Sequence, residues 1–459
     1  MLQKLDAKAT IRDLFIFALP IALHNLIQAM VGFTDAIMVG QLGEEVLATV
    51  GIANQVFFMV CVAIFGIASG GAILMSRAWA QKDMAQLQKI TSMSLLVSLI
   101  LALPIGLTSF LQAHEILYFF STQDNLGHVG RIYVEITSLS FPLTALTIVL
   151  AVQLRTIGKG KYPMIIAAAG LVFNIFLNYL LIYGSWGAPQ MGLEGAAIAT
   201  LSARALEALL TVAIFFSNKN EAKTSLKSYL EHMDMSKDED NRSILSTFLQ
   251  LALPIMLIEL LWAIGQGVYK LSLGRMGVSE LASYTILETI LNLFSAISIG
   301  FGNASGLVLG QTIGQKNYVK AYQQASLFIK LNFILVIPIG LFLIVMSPVL
   351  QLWFQLSAKT SYYLTLGLII YGFSLSLKSY NFLMTTGILR SGGDSKFVSI
   401  VSALSFCGFG IPMTLIGSLL LHWPFYVILL IIIIEENIRN LALWIRYKQK
   451  CWIHVLNEL

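Results

Sequence analysis

Charge is what this chain most conspicuously lacks. Only 12% of its 459 residues are Asp, Glu, Lys or Arg, against 57% that are hydrophobic, where an ordinary soluble protein carries about 25% charged residues. A water-soluble globule is excluded on that ground. Cysteine is scarce too: Cys61, Cys407 and Cys451 are far apart and form no CxxC, so a disulfide framework has no basis. The six histidines make no HxxxH or HExxH pattern and no GK[ST] follows a glycine-rich stretch. Zinc sites, haem attachment and direct use of ATP therefore lack their sequence signatures. No nucleophile and base pair stands out either, so the chain is not expected to be an enzyme, and no cofactor is expected beyond a coupling ion.

What is present is a series of apolar runs separated by Gly, Pro and polar punctuation. They predict an all-α polytopic membrane protein with twelve transmembrane helices, near residues 13–38, 46–75, 89–112, 129–153, 162–184, 192–216, 243–273, 279–309, 322–346, 360–388, 396–420 and 424–446. A bilayer crossing takes about 20 mostly apolar residues, so twelve crossings leave only short loops. The first run contains Pro20, His24, Asn25, Gln28 and Asp35 and reads as a retained helix rather than a signal peptide.

Basic residues fix the orientation. With both termini and every even-to-odd loop in the cytoplasm, 23 of the 29 Lys and Arg residues fall on one side. That asymmetry obeys the positive-inside rule, and a wrong helix number would have scrambled it. A multi-pass protein of the cytoplasmic (inner) membrane with both termini inside is the expected localisation.

The chain also repeats. At an offset of 234, Ala18-Leu19-Pro20-Ile21 matches Ala252-Leu253-Pro254-Ile255, Gln81-Lys82 matches Gln315-Lys316, and Pro104-Ile105-Gly106-Leu107 matches Pro338-Ile339-Gly340-Leu341. One residue later in register, Leu154-Arg155 matches Leu389-Arg390 and Gly158 matches Gly393. An even number of helices per repeat makes the two copies parallel, related by an axis along the membrane normal. The expected organisation is an amino-terminal lobe at 1–216, a cytoplasmic linker at 217–242 and a carboxy-terminal lobe at 243–459, two six-helix repeats around a central cavity. This geometry suits alternating access. The glycine-rich stretches Gly66–Gly71 and Gly300–Gly306 occupy equivalent places and read as points of close helix approach.

Polar residues inside the apolar runs are the candidate site, because a charge at the bilayer centre costs roughly 2.5–3.5 kcal/mol on insertion scales. Asp35 on the first helix reads as a cation or proton site facing the lumen, the alternative being a carboxylate that lies near the outer headgroups. Asn174 and Asn178 lie four apart, hence on one helical face, and Thr200 on the sixth helix adds a hydroxyl. With Asp35 these three offer hard oxygen ligands that could hold Na⁺, although alone they would serve equally well as glue between helices. In the second half Glu259 supplies a carboxylate, with Trp262 and Tyr269 within two further turns. Charge and π-faces together would suit a cationic aromatic compound, although Trp262 and Tyr269 would serve equally well in packing helices. Gln28, Trp262 and Tyr269 are the candidate substrate contacts. Arg204 and Glu207, three apart, read as a structural pair, as do Arg131 and Glu135. Lys270 and Lys378 either snorkel to an interface or face a carboxylate such as Glu259 or Glu288. Glu435 and Glu436 close the last apolar run, facing the lobe interior or pairing with Arg439.

Together the segments LPIALHNLIQAMVGFTDAIMVGQLG, its echo LPIMLIELLWAIGQGVYKLSLGRMG, QLRTIGKGKYP, ILRSGGDSKF, NIFLNYLLIYG with GLEGAAIAT, and IIEENIRN resemble the multidrug and toxic compound extrusion (MATE) family over essentially the whole chain. The resemblance implies export of cationic, amphipathic organic compounds in exchange for H⁺ or Na⁺. By position, Asp35 looks like the family's helix-one carboxylate, Asn174 and Thr200 like its neutral ligands, and Glu259 like the helix-seven glutamate of one bacterial subgroup. The chain departs from the pattern at Asn178, where many members have aspartate, and at Trp262, where others place their helix-seven glutamate. It departs again at Lys378 and Ser379, where some carry an aspartate on helix ten. Small organic cations and the lipid bilayer are the expected partners, with no nucleic acid, and the chain is expected to act as a monomer. A lipid-linked glycan or lipid flippase of the same superfamily is the alternative.

Overall fold

The computed structural model describes residues 7–121, 124–217 and 239–454. Residues 218–238, most of the expected linker, lie outside the described residues. Every regular element among the described residues is helical. In chain order they are α1 (Ala7–Gly40), α2 (Glu44–Ala80), α3 (Met84–Leu111), α4 (Ala113–Phe120), α5 (Asp124–Ser138), α6 (Phe141–Thr156), α7 (Lys161–Tyr183), α8 (Leu193–Ser217), α9 (Glu239–Met276), α10 (Val278–Gly314) and α11 (Tyr318–Gln351). These are followed by α12 (Ala358–Ser391), α13 (Ser395–Leu420), α14 (Phe425–Lys448) and α15 (Cys451–His454).

Ten of the described helices are long and apolar enough to cross a bilayer, and the bent pair α5–α6 makes an eleventh. The twelfth is α14, whose apolar run FYVILLIIII is followed at once by Glu435, Glu436 and Arg439. The lipid-facing positions are apolar and exposed, among them Ile100, Leu103, Leu107, Phe342 and Val345. Such a surface would be an aggregation hazard in water and is at home in hydrocarbon.

Two helices depart from the expected boundaries for identifiable reasons. The run expected as one helix over 129–153 is broken at residues 139–140 by a 43° bend, where Pro142, with no N–H to donate, sits in the first turn of α6. After α3 the chain makes a separate short helix, Ala113–Phe120, with Tyr118 and Phe119 exposed on its outer face.

The repeat is visible atom by atom at its turns. Asp83 caps α3 by accepting a 2.9 Å hydrogen bond from the Gln86 N–H, and Asn317 caps α11 by accepting one of 3.1 Å from the Lys320 N–H. Immediately before each cap a lysine takes a left-handed backbone, Lys82 at φ 58° and Lys316 at 59°. Gly158 and Gly393, also equivalent, adopt φ 79° and 89°, a conformation that costs glycine no Cβ clash.

Packing divides the chain differently from the repeat. One compact unit comprises residues 45–267, and the other comprises residues 1–44 and 268–459. The first helix of each repeat therefore packs with the helices of the other repeat. In the first unit, a Cβ on Gly66 of α2 would lie 2.5 Å from the Met256 Cα of α9. In the second, a Cβ on Gly300 of α10 would lie 2.7 Å from the Ala22 Cα of α1. Gly66 and Gly300 are equivalent in the repeat, as are Ala22 and Met256, so one contact is made twice. Close approach is the role anticipated for these glycine stretches. The core of the second unit continues it: Ala18 on α1 joins Ala304, Val308 and Phe301 of α10 in one buried cluster.

Candidate functional site

In the unit of residues 45–267, the polar side chains gather on α7 and α8. The Asn178 Nδ2 donates to the Asn174 Oδ1 at 3.2 Å, and both residues are buried. Their four-residue spacing brings them together as expected. The Asn174 Nδ2 has no hydrogen-bond partner among the described residues. Thr200 is half-buried on the neighbouring α8. Four residues along α8, Arg204 Nη1 meets Glu207 Oε2 at 2.8 Å, and the guanidinium lies 5.3 Å over the ring of Phe57. Gly170, one turn before Asn174, leaves room for the carboxylate: a Cβ there would lie 2.7 Å from the Glu207 Cγ. The Arg204–Glu207 pair is thus an internal neutralised pair, as the spacing predicts. Near the surface of this unit, Arg131 and Glu135 pair at 2.6 Å.

On α9 in the same unit, Glu259 is half-buried and Trp262 is 37% exposed, its ring set edge-on to Phe58 at 5.4 Å. One residue further, the Ala263 carbonyl accepts a 2.9 Å hydrogen bond from the Gln55 Nε2 of α2.

The other unit holds Gln28, exposed, and Asp35, half-buried, on α1. Asp35 and the Asn174, Asn178 and Thr200 set thus belong to different compact units. Among the described residues no group of three or more His, Cys, Asp and Glu side chains could hold a metal ion.

The same unit contains a second polar cluster, whose charged residues the sequence shows singly but does not bring together. Tyr269 at the end of α9 is fully buried, its ring stacked on Phe406 of α13 with centroids 6.0 Å apart. Next to it in the chain, Lys270 Nζ lies 2.6 Å from Glu288 Oε2 of α10. Of the alternatives for Lys270, the structure realises the carboxylate Glu288. Lys378 of α12 lies 3.8 Å from Glu436 of α14 and 5.6 Å over the ring of Tyr371. Arg439 is buried with its guanidinium 5.2 Å over Phe406, and its Nε has no partner among the described residues. Glu435, 0% exposed, has neither oxygen hydrogen-bonded among the described residues. An interhelical amide pair, Asn381 to Asn440 at 2.8 Å, ties α12 to α14 just beyond. The signal for this cluster in the sequence was three charges at i, i+1 and i+4 ending an apolar run. What the sequence could not show is that Tyr269, Tyr284 and Tyr371 surround it.

Helices in two parallel repeats, with a buried polar cluster in each unit, define a polytopic membrane protein with polar groups held inside its apolar helices. Comparison with known proteins makes this specific. The MatE family model matches residues 20–180 and 254–416, one stretch in each repeat, and the chain belongs to that family of membrane transporters. It is 22% identical over 447 residues to the uncharacterized transporter YisQ of Bacillus subtilis, covering 96% of this chain and 95% of the relative. It is 25% identical over 419 residues to the probable multidrug resistance protein NorM of Synechocystis, covering 89% of this chain and 88% of that one. Among solved structures, the inward-facing conformation of a multidrug resistance MATE family transporter of the MOP superfamily shares the fold with a TM-score of 0.81 at 19% identity, covering 96% of this chain and 99% of the other. A MOP superfamily transporter from Pyrococcus furiosus, described as having a binding pocket of reverse polarity, matches with a TM-score of 0.74 at 19% identity, covering 98% and 97%.

Proposed function

We propose that this protein is a secondary active efflux transporter that exports cationic amphipathic organic compounds in exchange for H⁺ or Na⁺, by alternating access of two lobes about a central cavity. The reading is carried by one observation: each repeat-related half of an apolar, multi-pass chain of the MatE family buries polar and ionisable side chains at membrane depth, where their cost demands a function. Multidrug resistance is the activity named for several relatives, NorM of Synechocystis among them.

In this reading Asp35 binds the coupling ion in its unit, while in the other unit Asn174, Asn178 and Thr200 offer neutral oxygen ligands and Glu259 the carboxylate of α9. Gln28 and Trp262, both exposed, contact the cargo, and Tyr269 enters through the buried cluster that it joins. A flippase for lipid-linked anions would call for a basic lumen. Lys270 and Lys378 each have a glutamate beside them, which supports the organic-cation reading instead. The chain is proposed to work as a monomer in the cytoplasmic membrane with both termini inside.

The test is uptake of ethidium into inside-out vesicles under an acid-inside H⁺ gradient or under a Na⁺ gradient that is high inside. Accumulation driven by one gradient names the coupling ion and supports antiport. With folded protein present, no accumulation under either gradient would overturn the reading.

A further inference from the structure

We infer that Glu435 on α14 is a proton-binding site, separate from Asp35, whose occupancy sets the charge of the buried cluster formed with Tyr269, Arg439 and the Lys378–Glu436 pair. The inference rests on the antiport reading for its use in transport, though not for the existence of the site.

Two of the three cations in this cluster already have carboxylates. Lys270 is matched by Glu288 at 2.6 Å and Lys378 by Glu436 at 3.8 Å. Glu435 and Arg439 remain, one helical turn apart on the same helix. Yet neither Glu435 oxygen accepts a hydrogen bond from Arg439 or from any other described residue, and the arginine rests on the face of Phe406. A carboxylate with 0% exposure and no donor is far too costly as a bare anion in an apolar interior. Binding a proton removes that cost, and the side chain is closely packed. A Cβ on Gly410 would collide with the Tyr269 hydroxyl and lie 2.9 Å from the Glu435 Cγ. The Tyr269 hydroxyl itself has no hydrogen-bond partner among the described residues. Glu435 and the phenol therefore share one tight space beside the widened helical turn Phe406–Gly410. Widened turns of this kind are frequent at functional sites.

The groups facing Glu435 come from every neighbouring helix. Glu436 and Arg439 belong to α14 itself, and Lys378 and Tyr371 come from α12. Tyr269 faces it from α9, with Cys407 of α13 close behind. Tyr284 and Glu288 of α10 complete the surround through Tyr371 and Tyr269. Three cations (Lys270, Lys378, Arg439) stand against three carboxylates (Glu288, Glu435, Glu436). With Glu435 ionised the cluster is neutral, and with Glu435 protonated it carries one excess positive charge. A cationic cargo is disfavoured beside the second state and tolerated beside the first, so proton and cargo exclude one another. The proton has a way in, because the side chains of Glu288, Lys378 and Glu436 are 25%, 25% and 14% exposed and form the open edge of the cluster.

Two readouts on the full chain in lipid test this. The first is infrared difference spectroscopy during a pH titration without cargo or Na⁺. The wild type should show a carboxylic-acid C=O band that comes and goes with pH, and Glu435→Gln should lack it. Absence of the band in the wild type, or its persistence in the folded variant, overturns the proposal. Should Glu435→Gln fail to fold, Tyr269→Phe serves instead. Removing the hydroxyl should move the pH midpoint of the band, and an unmoved midpoint overturns the site as drawn. The second readout is proton release on adding ethidium in weak buffer, which should fall by about one proton per bound cation in Glu435→Gln; unchanged release overturns the link to cargo. A band that titrates in a protein that moves ethidium under neither gradient would leave the proton site standing while the antiport reading falls.

Discussion

Lys270 and Glu288 meet at 2.6 Å, and the lysine side chain is only 5% exposed while the glutamate keeps 25%. The contact joins the last two turns of α9 to α10 about three turns from its start, within the compact unit that holds both. An ammonium this deep depends on its partner, so the pair is a sensitive point for stability.

Lys270→Met should therefore be tolerated less well alone than together with a change at Glu288. Breaking a buried pair costs about 3–5 kcal/mol, and the partial exposure of Glu288 brings the expectation to roughly 1–3 kcal/mol. Thermal unfolding in detergent should show Lys270→Met clearly destabilised, with Lys270→Met/Glu288→Leu recovering most of the loss. A double variant as unstable as the sum of the two single ones would refute the coupling.

The repeated glycine contact makes a second prediction with an internal control. Gly66→Ala and Gly300→Ala each bring a Cβ to within 2.5 Å and 2.7 Å of a backbone Cα on the facing helix. Overpacking of this kind costs about 1–3 kcal/mol. Gly310→Ala, in the same helix as Gly300 but with nothing within 4 Å of the new Cβ, should be neutral or stabilising by up to about 1 kcal/mol. Melting temperatures of the three variants check this, and a loss at Gly310 equal to that at Gly300 would remove the packing explanation.

These two contacts also mark where the sequence is legible. The repeat register, the apolar runs and the alternation of basic loops each recur many times, so the twelve helices and their parallel relation could be read directly. Which helix packs with which half could not: Gly66 faces Met256 rather than Ala22, and a repeat looks the same whether its first helix stays at home or is exchanged. The bend at residues 139–140 was hidden because Pro142 is tolerated in a first helical turn as readily as it breaks a helix interior. Within the site, spacing along one helix worked: Asn174 with Asn178, Arg204 with Glu207, and Arg131 with Glu135 all meet. Partners on different helices were beyond it. Lys270 had two candidate carboxylates, and the enclosure of Glu435 by Tyr269 and Phe406 depends on a widened turn in α13 that no residue pattern announces.

A third prediction concerns the start of α12. Ser357 is its cap, bonded through its side chain to the Thr360 N–H at 3.3 Å, and the Glu44 carboxylate in turn accepts from the Ser357 hydroxyl at 2.9 Å and from the Thr360 hydroxyl. Lys359 pairs with Glu280 at 2.9 Å beside it. Ser357→Ala removes the cap and one of the donors to Glu44, so a loss of about 0.5–2 kcal/mol is expected. Ser357→Asp restores a capping oxygen but sets a second carboxylate against Glu44, and should recover less than Ser357→Thr. Hydrogen exchange of the first turn of α12 reads this directly; equal protection in Ala and Thr variants would contradict it.

The last prediction separates the two candidate carriers of the coupling ion. Asp35→Asn keeps the shape of the side chain and removes its charge, so gradient-driven ethidium uptake should fall to background while the amount of folded protein is unchanged. Asn178→Asp works in the opposite direction. It removes the Asn178 Nδ2 donor and sets an anionic oxygen against Asn174; when the Asn174 amide turns over, its Nδ2, which has no partner among the described residues, donates to that oxygen, and the other carboxylate oxygen is left as a hard ligand. If the asparagine set takes part in holding the ion, this added carboxylate should tighten Na⁺ or proton binding by about tenfold or more, since each 1.4 kcal/mol is a factor of ten. Uptake should then saturate at a lower ion concentration, and in the background of Asp35→Asn it should return in part. Full uptake by Asp35→Asn alone would take Asp35 out of the exchange and leave the carboxylates of the other helices, half-buried Glu259 and buried Glu435, to carry it.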